Sequence, residues 1–80
     1  MILKKETTLN SMKTGERGIL IRIDGGYRMV ERLAALGIRP GKRVTKISSM
    51  FMSGPVTIQI DEAQIAIGYR MSNKIIIELD

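Results

Sequence analysis

Asp61 and Glu62 form the densest pair of carboxylates in this chain, and carboxylate oxygens are the ligands a hard divalent cation selects. Two adjacent acids supply too few ligands for such an ion, and they lie where a hairpin turn would carry solvated charge. They are the chain's metal candidates, and no resident cofactor is expected beyond a loosely held divalent ion. Histidine and cysteine are both absent. That removes the usual ligands of zinc, copper and iron, the commonest general base, and every triad built on histidine. Asp24 and Glu31 could serve as acid and base only if folding set them in a cleft, which nothing in the pattern predicts. The run Asp24-Gly25-Gly26-Tyr27 lacks the spacing and the lysine of a nucleotide-phosphate loop and reads better as a strand-to-helix turn. These residue types argue against an enzyme.

What remains is the chemistry of contact. Met50, Phe51 and Met52 are consecutive, and three bulky apolar residues in succession do not all face inward. Methionine adapts to partner surfaces, and an exposed apolar patch marks an interaction site. The plainer reading is that this loop folds over an open end of the domain. Arg28, Glu31 and Arg32 take the polar side of a predicted helix. The candidate partner-binding residues are therefore Met50, Phe51, Met52, Arg28, Glu31 and Arg32.

The elements that must position them are short. Met29, Val30, Leu33 and Leu36 fall near the i, i+4, i+7 spacing of one helical face, while Arg28, Glu31, Arg32 and Ala35 oppose them. Arg28 and Glu31 are spaced to pair. Gly37 suits a left-handed helix stop, Ile38 can fold back onto the helix, and Arg39-Pro40-Gly41-Lys42 fits a type II turn. The flanking sequence favours strands. Residues 18–24 read as a strand with Ile19, Ile21 and Ile23 on one face and Leu20, Arg22 and Asp24 on the other. Residues 43–49 form a second, with Val44 and Ile47 out of phase, which predicts a bulge or a change of face. Residues 56–61 alternate cleanly, a turn at 61–63 leads to a short strand over 64–67, and residues 68–74 read as a tight helical turn. Residues 75–79 close the set with Ile75, Ile77 and Leu79 on one face. The segment 7–16 is polar and turn-rich, anchored by Leu9 and Met12. No repeat, linker or low-complexity segment is read. Five short strands separated by turn signals imply a small, strongly twisted barrel, mainly β, with one short helix after its first strand.

Eighty residues, 44% hydrophobic and 26% charged, make one globular domain over residues 1–80 with a modest core. Missing cysteines suit a reducing cytosol, and no apolar run approaches the ~20 residues that span a bilayer. The first residues lack the charged-then-apolar order of a secretory signal. A net charge of +5 favours acidic partners, nucleic acid among them. Yet the basic residues are scattered, and Tyr27, Phe51 and Tyr69 stand apart from one another, which makes a single-strand stacking platform a poor fit.

The ordered series Leu9, Met12-Lys13-Thr14-Gly15-Glu16-Arg17-Gly18, Ile21-Arg22-Ile23-Asp24-Gly25-Gly26, Arg32-Leu33, Leu36-Gly37-Ile38-Arg39-Pro40-Gly41, Gly54-Pro55-Val56, Ile65-Ala66-Ile67 and Ile75-Ile76-Ile77 resembles the ferrous iron transport protein A (FeoA) family. The resemblance spans about residues 9–79 and is most specific over 32–41. Its tail departs from the family pattern at Ser72, where alanine is common, and at Gly68, where a basic residue is. The resemblance implies an SH3-like barrel with the helix inserted after the first strand. It also implies a small cytoplasmic accessory that docks on the cytosolic part of the FeoB-type ferrous iron transporter, at the inner face of the membrane, and modulates its assembly or gating. Members are commonly described as binding transition metal ions, a role for which this chain has no histidine or cysteine. Two alternatives stay open: a nucleic-acid-binding barrel, suggested by the basic balance, and a metal-sensing domain akin to the similar barrel of iron-dependent repressors, using Asp61, Glu62 and backbone oxygens. Exposed strand edges would permit a homo-oligomer.

Overall fold

The computed structural model of the protein describes residues 5–49 and 53–80. Along the chain lie β1 (Glu6–Thr8), β2 (Arg17–Ile23), α1 (Tyr27–Ala35), β3 (Arg43–Ser49), β4 (Val56–Ile60), β5 (Ala63–Ile67), α2 (Tyr69–Ser72) and β6 (Ile75–Leu79). The six strands form one antiparallel sheet in the order β1-β6-β2-β3-β4-β5. This is the SH3-like architecture expected from the sequence, with α1 inserted between β2 and β3. One strand more is present than expected. β1 is a three-residue polar edge strand, too short to show an alternating pattern, and it forms only because β6 offers it a ladder.

Inside the curled sheet, Leu9, Leu20, Leu33, Ile38, Val44, Ile58, Ile75 and Ile77 are almost wholly removed from water. Each such burial contributes roughly 1.5–3 kcal/mol. β2 reverses the predicted facing over its first part. Leu20 points inward opposite Ile77, while Ile19 and Ile21 are only half-buried. The reason is a bulge between Leu20 and Arg22: the extra residue, Ile21, resets the phase so that Ile23 faces the core again opposite Ile75. Gly18 lets β2 approach β6 closely, since a Cβ there would meet the Glu78 carbonyl oxygen and lie 2.6 Å from Ile77 Cγ2.

The anomaly foreseen in β3 is also a bulge, lying between Lys46 and Ser48. Val44 and Lys46 face inward, and Ile47 stands half-buried at the irregularity. The helix stop obeys the predicted chemistry. Gly37 adopts φ +86°, its N–H donates to Ala34 O at 2.9 Å, and Ile38 N–H donates to Leu33 O at 2.9 Å. That pair of bonds is a Schellman motif, closed by the buried side chains of Leu33 and Ile38. Gly41, at φ +95°, completes the turn through Lys42 N–H to Arg39 O.

Candidate functional site

α1 is anchored by Leu33, buried at the centre of its inner face, with Met29 packed beside it on the core. These two residues are four apart and so share a face, which sends Arg28, Glu31 and Arg32 outward. All three are exposed. Arg28 and Glu31 do not form the expected ion pair; the described ion pairs involve Arg22, Lys42 and Arg43 instead. Leu36 also departs from expectation, standing 53% exposed. It is the C-cap residue, where the chain leaves helical geometry and its side chain no longer continues the apolar stripe. Tyr27, 77% exposed at the first position of α1, extends the outer face.

Asp61 and Glu62 form the two-residue connection between β4 and β5, with Ile60 paired to Ala63. Asp61 takes φ +52°, a conformation aspartate tolerates better than most residues. Its carboxylate accepts from Lys42 Nζ at 2.8 Å, and Glu62 is exposed beside it. Among the described residues no three acids, histidines or cysteines come together, and no pocket is found. Met50, Phe51 and Met52 lie outside the described residues.

Two features escaped the sequence reading. The first is a short repeat: Gly26-Tyr27-Arg28-Met29 and Gly68-Tyr69-Arg70-Met71 are identical, and each opens a helix. Both glycines cap in extended geometry, at φ −71°, ψ 170° and φ −60°, ψ 154°. In both copies the tyrosine and arginine are exposed while the methionine packs on the core. The copies lie 42 residues apart, too short and too distant to register as periodicity, but a direct search for repeated tetrapeptides would find them.

The second is Lys46, an ammonium carried on the inner face of β3 and only 2% exposed. Its Nζ donates to Asn10 O at 2.7 Å and Met12 O at 2.5 Å, satisfying the charge with backbone carbonyls. Burial pushes its pKa below the ordinary 10.5, and the Glu16 carboxylate pulls it part of the way back. The anchored segment in turn braces α2, since Asn10 N–H donates to Ser72 O and Leu9 N–H to Ile75 O. Lys46 is a structural tie with no part in surface recognition. The signal for it was the lysine at the phase break of β3, where an apolar residue would be expected.

The arrangement thus offers charged and aromatic side chains on a rigid scaffold, a surface suited to contact. The FeoA domain family matches residues 7–79. A protein from Methanocaldococcus jannaschii described as an Fe(2+) transport protein A is 36% identical over 66 residues, covering 82% of this chain and 78% of that one. A crystal structure described as the iron uptake regulatory protein FeoA is similar with a TM-score of 0.85 at 26% identity, covering 95% of this chain and 99% of its own. A manganese-dependent transcriptional repressor shows a TM-score of 0.87 at 21% identity. It aligns with 99% of this chain but only 44% of the repressor, and at that identity the likeness shows the fold alone.

Proposed function

The chain belongs to the FeoA domain family, and on that premise we propose that it serves Fe(2+) uptake as a small cytoplasmic accessory, docking on the cytosolic part of a FeoB-type transporter and modulating its assembly or gating. The observation that carries this reading is the family match across residues 7–79, joined to a relative described by Fe(2+) transport. Physical features support it. Among the described residues the interior of the sheet is filled by leucine, isoleucine, valine and methionine side chains, with the Lys46 ammonium closed off by two backbone carbonyls, so it offers an ion no path. No helix among the described residues is long and apolar enough to cross a membrane. An accessory of this kind acts through its outer surface, and the outer face of α1 presents Tyr27, Arg28, Glu31, Arg32 and Leu36 without burying them in the fold.

The test is co-purification of the full chain with the transporter's cytosolic portion, nucleotide-free and loaded with GDP or GTP. Co-elution in at least one state, with a changed rate of GTP hydrolysis or Fe(2+) uptake, is expected. Separate elution in all three states would end the proposal.

A further inference from the structure

The repeated Gly-Tyr-Arg-Met segments point to one docking surface built from both helices. We infer that Tyr27, Arg28 and Arg32 on α1, together with Tyr69, Arg70 and Lys74 at α2, form a bipartite patch that receives an acidic segment of a protein partner. This deepens the docking reading and rests on it.

Three observations carry the inference. First, the start of α1 and the end of α2 join the sheet side by side. Ile23 pairs with Ile75, and Asp24 N–H donates to Lys74 O at 2.7 Å, so the β2–α1 and α2–β6 connections are hydrogen-bonded to each other. From that shared point, the reach of the chain keeps the two Tyr-Arg pairs within about 30 Å of one another. That distance fits inside one ordinary interface of about 800 Å² per partner.

Second, the charge there is unspent. Arg28, Arg32, Arg70 and Lys74 are exposed and have no ion-pair partner among the described residues. Arg22, Lys42 and Arg43 are each engaged by a carboxylate, and the other exposed cations without an ion pair among the described residues, Lys5, Lys13, Arg17 and Arg39, lie on separate segments of the chain. Against the four free cations the outer face of α1 carries one acid, Glu31. The patch therefore selects a negatively charged occupant.

Third, the aromatics fit a protein better than a lipid or a nucleic acid. Tyr27 and Tyr69 are 77% and 38% exposed, each next to an arginine, and tyrosine with arginine is the composition of protein interface hot spots. A membrane surface is bound through a dense basic cluster. Here the cations are dispersed over two elements.

The experiment is an NMR titration of the ¹⁵N-labelled full chain with a short Asp/Glu-rich peptide and with its Asn/Gln counterpart. It is run alongside binding of the transporter's cytosolic portion and of vesicles rich in anionic lipid. The acidic peptide should shift amides at 27–32 and 69–74 together, the neutral peptide should not, and added salt should weaken the effect. Arg28→Glu with Arg70→Glu should lower affinity for both the peptide and the transporter portion by at least about tenfold, with thermal unfolding unchanged. Shifts confined to one helix, equal binding of the neutral peptide, or tighter binding to vesicles than to the peptide would overturn the inference. So would transporter binding that survives the double reversal, which would leave the docking proposal itself standing. If the wild-type chain ignores the transporter portion yet takes the peptide at both helices, the docking proposal fails and the surface is retained.

Discussion

The same four residues begin both helices, and the two outcomes differ. After Gly26-Tyr27-Arg28-Met29 the chain forms nine helical residues; after Gly68-Tyr69-Arg70-Met71 it forms four. The first turns agree in cap geometry, in the exposure of tyrosine and arginine, and in the inward methionine. The residues beyond the shared tetrapeptide decide the length. In α1 the next residues, Val30 and Glu31, have no hydroxyl or amide to compete for backbone carbonyls, and Leu33 arrives one turn after Met29 to extend the apolar face. In α2 the corresponding residues are Ser72 and Asn73. Ser72 Oγ donates to Tyr69 O at 2.7 Å and Asn73 Nδ2 to the same oxygen at 3.1 Å. These local bonds occupy the carbonyl of Tyr69, the first residue of α2, and the residue matching Leu33 is Ile75, already paired in β6. Identical starts therefore specify a turn, and the next side chains together with the sheet specify how far it runs.

The comparison can be broken most forcefully at Leu33. Leu33→Ala removes the one fully buried side chain of α1 and should cost about 2–5 kcal/mol in a denaturant melt. Hydrogen exchange should quicken in α1 before α2. A loss well under that range would show that α1 does not rest on its apolar face.

Lys46→Met tests the opposite side, because Lys46 supports α2 through the 9–12 segment. Leaving the Asn10 and Met12 carbonyls without their donor should cost about 1–3 kcal/mol, with exchange rising in α2 while α1 stays protected. The pH dependence has a defined sign. Burial holds the folded-state pKa of Lys46 below 10.5. Between that lowered value and 10.5 the unfolded chain binds more protons, so this residue's contribution to stability rises with pH there and falls back as pH drops toward the folded value. The wild type should gain on Lys46→Met as pH climbs toward 10.5. An opposite slope in paired melts would contradict the burial argument.

The smallest effect is expected at Ser72. Ser72→Ala deletes one buried hydroxyl bond and should cost about 0.5–1.5 kcal/mol. NMR chemical shifts should show α2 no longer than before, because Ile75 remains locked in the ladder with β2. A lengthened helix would mean that Ser72 and Asn73 alone, and not the sheet, end it.

Much of this was legible before folding. α1 with its glycine stop, the Pro40-Gly41 turn, the clean alternation of β4 and the phase break of β3 all arise from local chemistry, and each is present. The facing of β2 was not legible, because Ile19, Leu20 and Ile21 are all apolar and only the bulge opposite β6 chooses Leu20. β1 was hidden because Glu6, Thr7 and Thr8 have no pattern of their own. Of the candidate surface, Arg28, Glu31 and Arg32 were readable from helical spacing, while Tyr69, Arg70 and Lys74 joined them only once Asp24 and Lys74 met.

By itself, then, the sequence determined what neighbouring residues can settle among themselves: where turns fall, where glycine must stand, which face of α1 is apolar, and that no histidine or cysteine chemistry is available. The tertiary structure decided the matters that need a distant partner. Those are the register of β2 on β6, the burial of Lys46 against two carbonyls more than thirty residues away, and the hydrogen bond from Asp24 to Lys74 that ties the start of α1 to the end of α2. The physical reason is range. Dihedral preferences and i, i+4 contacts act within one turn of chain, whereas burial, bulges and strand pairing are fixed only when separate segments exclude water from between them.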